Sequence, residues 1–217
     1  AMTVFHTHLF DLAGTLIDHF AAIHRQNRQP MVELGLPAPT MAEVRAAVGG
    51  GLENAIARLA GPGLVARALP IYRAYWDRTM LDDVSLLPGA VELLAALKSR
   101  GRQPVVLTNK HGPSARLICA HLGIDRLLDG VFGASDTPWL KPDRRFIDHV
   151  LGQLKAGAKT TLFIGDSPYD IQAGHNAGLP AWCVTTGTHT AAELHTAGAD
   201  AVYADLGGIA ATLELDQ

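Results

Sequence analysis

Short apolar runs recur along this chain, separated by stretches with helical patterning. The first run, Val4–Leu9, is interrupted by polar residues and leads into Phe10-Asp11. It reads as a strand ending at Asp11. Pro104–Leu107, Gly130–Phe132, Thr161–Ile164 and Ala181–Val184 are further strand candidates, each followed by polar or glycine-containing residues. Between them, Ala90–Arg100, Ser114–Leu122, Arg145–Leu154 and Tyr169–Ala177 carry helical patterns. Strands alternating with helices of this length imply βαβ units, so the predicted class is α/β with a doubly wound, mostly parallel sheet.

The segment from His19 to Leu86 breaks the alternation, with helical stretches and no convincing strand. Thr40-Met41-Ala42-Glu43 has the spacing of a capping box and predicts a helix through Val48. Gly49-Gly50-Gly51 ends that helix, and Leu52–Leu59 and Leu69–Leu81 predict two more. Leu87-Pro88-Gly89 marks the return to the sheet. The expected organisation is an α/β core of residues 2–18 and 87–217, with a small helical domain, residues 19–86, inserted after the first strand.

Composition narrows the function more than the fold. The chain has 217 residues, 48% of them hydrophobic, enough to bury a substantial core. A net charge of −3 with scattered Lys and Arg predicts no nucleic-acid partner and no anionic membrane partner. No apolar run approaches the ~20 residues of a membrane helix, and no signal peptide precedes the first strand. Ala1 before Met2 reads as a remnant of tag cleavage. The two cysteines, Cys119 and Cys183, form no metal-binding spacing and sit in apolar surroundings. Both are expected to be buried and reduced, and the chain cytoplasmic.

Ligands of open α/β sheets bind beyond the carboxyl ends of the strands. There the chain places Asp11 to Asp18, then Leu107-Thr108-Asn109, then Lys141-Pro142, then Gly165-Asp166-Ser167-Pro168-Tyr169-Asp170. Singly, each reads as a helix cap, a loop or a solvated surface residue. Together, in order and after successive strands, they fit phosphoryl transfer. The Asp11 carboxylate is a nucleophile competent to form an aspartyl-phosphate. Nucleophile and substrate are both anionic, so a cation must join them. Asp11 and Asp166 are hard oxygen donors suited to Mg²⁺. Thr108 offers a hydroxyl and backbone N–H groups to phosphate oxygens, and Lys141 offers a positive charge to Asp11 and phosphate alike. Gly14 allows close backbone approach. Thr15 and Asn109 are further candidates for substrate contact. Asp170 is positioned to orient a metal-bound water or to reach the metal through it.

Asp11-x-x-Gly14-Thr15-Leu16-x-Asp18, the Thr108 position, Lys141-Pro142, and Gly165-Asp166-Ser167-x-x-Asp170 running on to Gly178 resemble the four motifs of the haloacid-dehalogenase (HAD) superfamily. The resemblance covers nearly the whole chain. The helical insertion resembles the small cap of the phosphoglycolate phosphatase-like branch, and Arg45 to Leu52 resembles that branch's cap loop. This implies a Mg²⁺-dependent hydrolase of small phosphorylated metabolites, with a mobile cap that closes over the substrate. It also implies that the backbone carbonyl at position 13 is a metal ligand and that Arg45 and Gly50 contact the substrate. Arg25, Arg28, Tyr72, Tyr75 and Trp76 are weaker candidates, better read as solvated arginines and packed aromatics.

Position 13 departs from that pattern. Phosphatases of the family carry an Asp there as general acid/base, and this chain has Ala13. Losing such a group typically costs ~10²–10⁴-fold in rate. An engineered substitution, altered chemistry of the phosphonatase or dehalogenase kind, and a weak enzyme or ligand-binding protein are all compatible with an alanine. A phosphonatase needs a cap lysine, and no lysine precedes Lys98. A dehalogenase needs no magnesium site, against which Asp166 and Asp170 argue. His19, His24 and His111 are candidate substitutes for the acid.

Overall fold

The computed structural model describes residues 3–215, which leaves Ala1, Met2, Asp216 and Gln217, and with them the outer limits of the expected core, outside the described residues. In chain order the strands and α-helices are β1 (Thr7–Phe10), β2 (Ile17–Asp18), α1 (Phe20–Glu33), α2 (Met41–Ala47), α3 (Leu52–Ala60) and α4 (Val65–Thr79). They continue with β3 (Ser85–Leu86), α5 (Ala90–Ser99), β4 (Gln103–His111), α6 (Gly112–His121), β5 (Gly130–Ala134), α7 (Arg144–Leu154) and β6 (Thr161–Gly165). Last come α8 (Pro168–Asn176), β7 (Ala181–Val184), α9 (Ala191–Thr196), β8 (Ala201–Tyr203) and α10 (Leu206–Thr212). Two compact units result: residues up to Asp18 together with those from Leu86 onward, and His19–Ser85.

The first unit is built on a six-stranded sheet in the order β5-β4-β1-β6-β7-β8, every pair parallel. The α/β class and parallel sheet expected from the alternation are therefore found. A parallel sheet needs both faces covered, so its central strands are buried throughout rather than alternating. All four residues of β1 and all five of β6 are buried. Leu9, Val105, Leu107 and Phe163 share one core cluster with Phe146, Ile147 and Val150 of α7 and Ala173 of α8. The intervening strand residues point to the opposite face. Cys119 and Cys183 are both free and buried, as expected, and burial pushes the Cys119 thiol up to about 12.

Several boundaries differ from expectation, each for a physical reason. β1 begins at Thr7, not Val4. β4 does not stop at Leu107 but runs to His111, with its register against β5 shifting between Leu107 and His111. Thr108 and Asn109 thus lie in an irregular strand end and not in a loop. β8 (Ala-Val-Tyr) is too short to show a period, and α10 carries Gly207 and Gly208, which disguise a helix.

The helical unit contains α1 to α4. The capping box forms as predicted. Glu43 N–H donates to Thr40 Oγ1 at 3.2 Å and Thr40 N–H to Glu43 Oε2 at 2.6 Å. The helix that follows ends at Ala47, one residue before the expected limit. α4 starts at Val65 rather than Leu69 and keeps Pro70 inside it. A proline reads most simply as a first-turn residue, which sets a sequence-based start too late. Met31, Ile56 and Ala68 form the buried centre of this unit.

Candidate active site

The carboxyl ends of β1, β4 and β6 lie side by side in the sheet, and the residues after them meet. Asp11 follows β1, and its backbone N–H donates to the Ile164 carbonyl of β6 at 2.9 Å. Ligand oxygens of Asp11, Asp166 and Asp170 lie within 4.8 Å of one another. Lys141 Nζ sits 3.0 Å from Asp11 Oδ1 and 2.6 Å from Asp170 Oδ1, with its side chain only 3% exposed. Burial opposes the charge on Lys141, but Asp11 and Asp170 outweigh it and hold its pKa above the ordinary lysine value.

The carboxylates are not equivalent. Asp170 is fully buried and its acceptors are engaged. Besides Lys141, its Oδ2 accepts from the N–H groups of Asp166 (2.9 Å) and Ser167 (3.2 Å) and from Ser167 Oγ (3.2 Å). It ties the start of α8 to the end of β6. Asp166 accepts from Thr15 Oγ1 at 2.9 Å. Burial, then the charges of Asp11 and Asp170, raise its pKa well above the usual carboxylate value. Asp11 is the most exposed of the three, at 15% of its side chain.

Three converging carboxylates with one shared ammonium form a set of hard oxygen donors with excess negative charge. That donor chemistry fits a divalent cation such as Mg²⁺. Asp11 and Asp166 would hold it directly, the Ala13 carbonyl lies on the same loop, and Asp170 would support them.

Glycines make the close approach possible. Gly14 has φ +82°, and a Cβ there would lie 2.5 Å from Asp166 Oδ2. A Cβ on Gly165 would lie 2.3 Å from Asp170 Cγ.

Two residues expected to touch substrate have their side chains engaged elsewhere. Asn109 Oδ1 accepts from the Lys141 N–H at 2.7 Å, and its Nδ2 donates to the Lys141 carbonyl at 3.1 Å. It clasps the backbone that carries the lysine. The Thr15 hydroxyl holds Asp166. Thr108 is buried, and its Oγ1 accepts the Lys110 N–H at 3.1 Å, which leaves the hydroxyl's own proton to donate.

Arg45 and Gly50 belong to the helical unit. Arg45 is exposed on α2 with its guanidinium 4.2 Å from the Phe20 ring centroid, and Gly50 lies in the turn between α2 and α3. Arg25 pairs with Asp83 at 2.6 Å, and Tyr72 stacks on Trp76. The candidate histidines each engage a neighbour: His19 Nε2 the Met80 carbonyl (2.7 Å), His24 Nε2 the Pro39 carbonyl (3.1 Å), and His111 Nδ1 the Ser114 hydroxyl (3.0 Å).

Sequence reading passed over the loop after β7. Thr186 Oγ1 donates to the Gly14 carbonyl at 2.8 Å, and a Cβ on Gly187 would lie 1.9 Å from Asp166 Oδ2. This loop packs directly on the carboxylate cluster. It holds no titratable residue before His189, so nothing marked it beyond its place after a strand. Lys110 was passed over as well. It is half-buried at the end of β4, and burial pushes its pKa down to about 8 while Asp11 acts to raise it.

A sequence model described as haloacid dehalogenase-like hydrolase matches residues 8–184. The phosphoglycolate phosphatase of Yersinia pestis is 31% identical over 202 residues, covering 90% of this chain and 87% of the relative. Probable phosphatase IndB of Dickeya dadantii is 31% identical over 195 residues, covering 87% and 85%. The crystal structure of a predicted phosphoglycolate phosphatase from Haemophilus somnus 129pt superposes with a TM-score of 0.90 at 25% identity, over 100% of both chains. A haloacid dehalogenase-like family hydrolase from Streptococcus pneumoniae does so with a TM-score of 0.88 at 25% identity, over 96% and 98%.

Proposed function

We propose a function that starts from family membership: the chain belongs to the haloacid dehalogenase-like hydrolase family. Within it, the site supports a Mg²⁺-dependent phosphatase of small phosphorylated metabolites, with Asp11 as nucleophile. The observation that carries this reading is the convergence of Asp11, Asp166 and Asp170 on one point, with Lys141 bound to two of them. When bound, the metal would neutralise negative charge and draw the phosphate against Asp11.

The chain's own residues then divide the work. Lys141 orients Asp11 through their 3.0 Å ion pair. Thr108 donates its hydroxyl proton to a phosphate oxygen. The Asp11 carboxylate attacks phosphorus, the ester bond breaks, and an aspartyl-phosphate remains for water to hydrolyse. Ala13 supplies no proton to the leaving oxygen, so substrates with acidic leaving groups are favoured and turnover is slow. His19 and His24 bond carbonyls within the helical unit and His111 bonds Ser114, so none is assigned the missing role. The relatives named phosphoglycolate phosphatase make a phosphorylated carboxylic acid the first substrate to assay. We assign the helical unit, residues 19–86, the part of a substrate-selecting cap, with Arg45 and Gly50 as its contacts.

The test is phosphate release from p-nitrophenyl phosphate and phosphoglycolate with Mg²⁺, for the chain and for Asp11→Asn. Slow release that Asp11→Asn and EDTA both abolish is expected. Release that survives Asp11→Asn would remove the nucleophile from the scheme.

A further inference from the structure

The loop that follows β7 lies outside all four motifs, yet it touches two of them. Thr186 Oγ1 donates to the Gly14 carbonyl at 2.8 Å, and a Cβ on Gly14 would lie 2.9 Å from Gly187 Cα. A Cβ on Gly187 would in turn meet the Asp166 carboxylate. Residues that follow β1, β6 and β7 therefore share one point of contact, and β6 is the strand that separates the other two.

The bond from Thr186 is specific in what it fixes. The Gly14 carbonyl and the Thr15 N–H belong to one peptide group. Thr186 holds the oxygen of that group, and the N–H donates to the Leu12 carbonyl at 3.2 Å. The peptide plane is thus held from both ends, next to a glycine with no side chain to limit its rotation. That plane sets the direction in which Thr15 leaves the backbone. Thr15 Oγ1 then donates to Asp166 Oδ1 at 2.9 Å. Both residues are buried, which keeps bulk water from competing for the bond.

We propose that Thr186 is a positioning residue. It fixes the Gly14–Thr15 peptide, and through Thr15 it sets the Asp166 carboxylate in the orientation that receives the cation. This rests on the metal-binding part of the phosphatase reading and extends the site to a loop beyond its motifs.

The test is Mg²⁺ titration of the full chain by calorimetry, without substrate. Wild type is compared with Thr186→Val, Thr186→Ser, Thr15→Val and the double variant Thr15→Val/Thr186→Val. Valine keeps the branched shape of threonine and removes the donor, whereas serine keeps the donor. Loss of a metal ligand's direct partner costs ~10–100-fold in affinity, which is the effect expected of Thr15→Val. Thr186 acts one bond further out, so Thr186→Val should raise the Mg²⁺ Kd about threefold to tenfold, and Thr186→Ser should stay within about twofold of wild type. Because the two threonines act in series, the double variant should bind within about twofold of Thr15→Val alone. Unchanged affinity in Thr186→Val, a loss that Thr186→Ser shares, or losses that multiply in the double variant each overturn the relay. A general loosening of the loop would produce the last two. A wild type that binds no Mg²⁺ overturns the metal-binding reading itself, and this inference with it.

Discussion

Gly187→Ala probes the site through a residue that does no chemistry. The added methyl would lie 1.9 Å from Asp166 Oδ2, 2.5 Å from its Cγ and 2.8 Å from its Cβ. Real Cβ atoms essentially never come within 3.0 Å of a neighbour, so the carboxylate or the loop must move by about 1 Å. The carboxylate cannot swing freely, because Thr15 holds its other oxygen at 2.9 Å. The loop cannot retreat without straining the bond from Thr186 to the Gly14 carbonyl. Mg²⁺ demands near-ideal octahedral geometry at ~2.0–2.1 Å, so if Asp166 is a ligand as proposed, a shift of about 1 Å would remove it from the coordination. Changing only the outer partners of a metal ligand costs ~10–100-fold in affinity, which sets a lower bound for this variant. Overpacking adds a cost of about 1–3 kcal/mol to the metal-free fold. The assay is Mg²⁺ titration by calorimetry, with thermal unfolding in EDTA as the separate measure of packing. Mg²⁺ affinity within about twofold of wild type would refute the argument that Gly187 makes room for a metal-binding Asp166.

Three other expectations follow from the same structure. Ala13→Asp restores a group able to protonate the leaving oxygen, and should raise turnover of poor leaving groups ~10²–10⁴-fold; a restored variant no faster than the parent ends the missing-acid account. His8 is buried in β1, with an Nδ1 that has no partner. Burial first, then the Arg102 and His6 charges, lower its pKa from 6.5 to about 4. Between those values the unfolded chain binds the extra proton, so this residue's contribution to stability falls with falling pH. The loss approaches about 3 kcal/mol near pH 4. Denaturant unfolding of wild type and His8→Phe at pH 7 and 4.5 checks this, and a difference between the two proteins that does not change with pH counts against it. Phe146→Ala opens the centre of the sheet–helix core and should cost about 3–5 kcal/mol in urea unfolding.

The alternation of apolar runs and helical patterns was enough to read the parallel sheet, because each central strand is buried on both faces and shows as an uninterrupted run. Charged residues placed just beyond those runs were legible for the same reason, and Asp11, Lys141, Asp166 and Asp170 stood out. Direction was not legible. Asn109 and Thr15 have side chains suited to a phosphate, yet one faces a backbone and the other a carboxylate, and only the folded geometry decides this. Thr186 and Gly187 carry no charge, so they gave no chemical signal.

The bond from Thr15 to Asp166 spans 151 positions, and that from Thr186 to Gly14 spans 172. A chain is made from its amino end, so Asp11 exists long before the partners that confine it. A nascent chain that has reached α7 carries Asp11 and Lys141 but neither Asp166 nor Asp170. The carboxylate cluster closes only when β6 inserts beside β1, and the loop after β7 then packs against it. If the cluster binds a divalent cation as proposed, ion capture would report that synthesis has passed the last strands, and the ion would stabilise only molecules whose sheet is assembled.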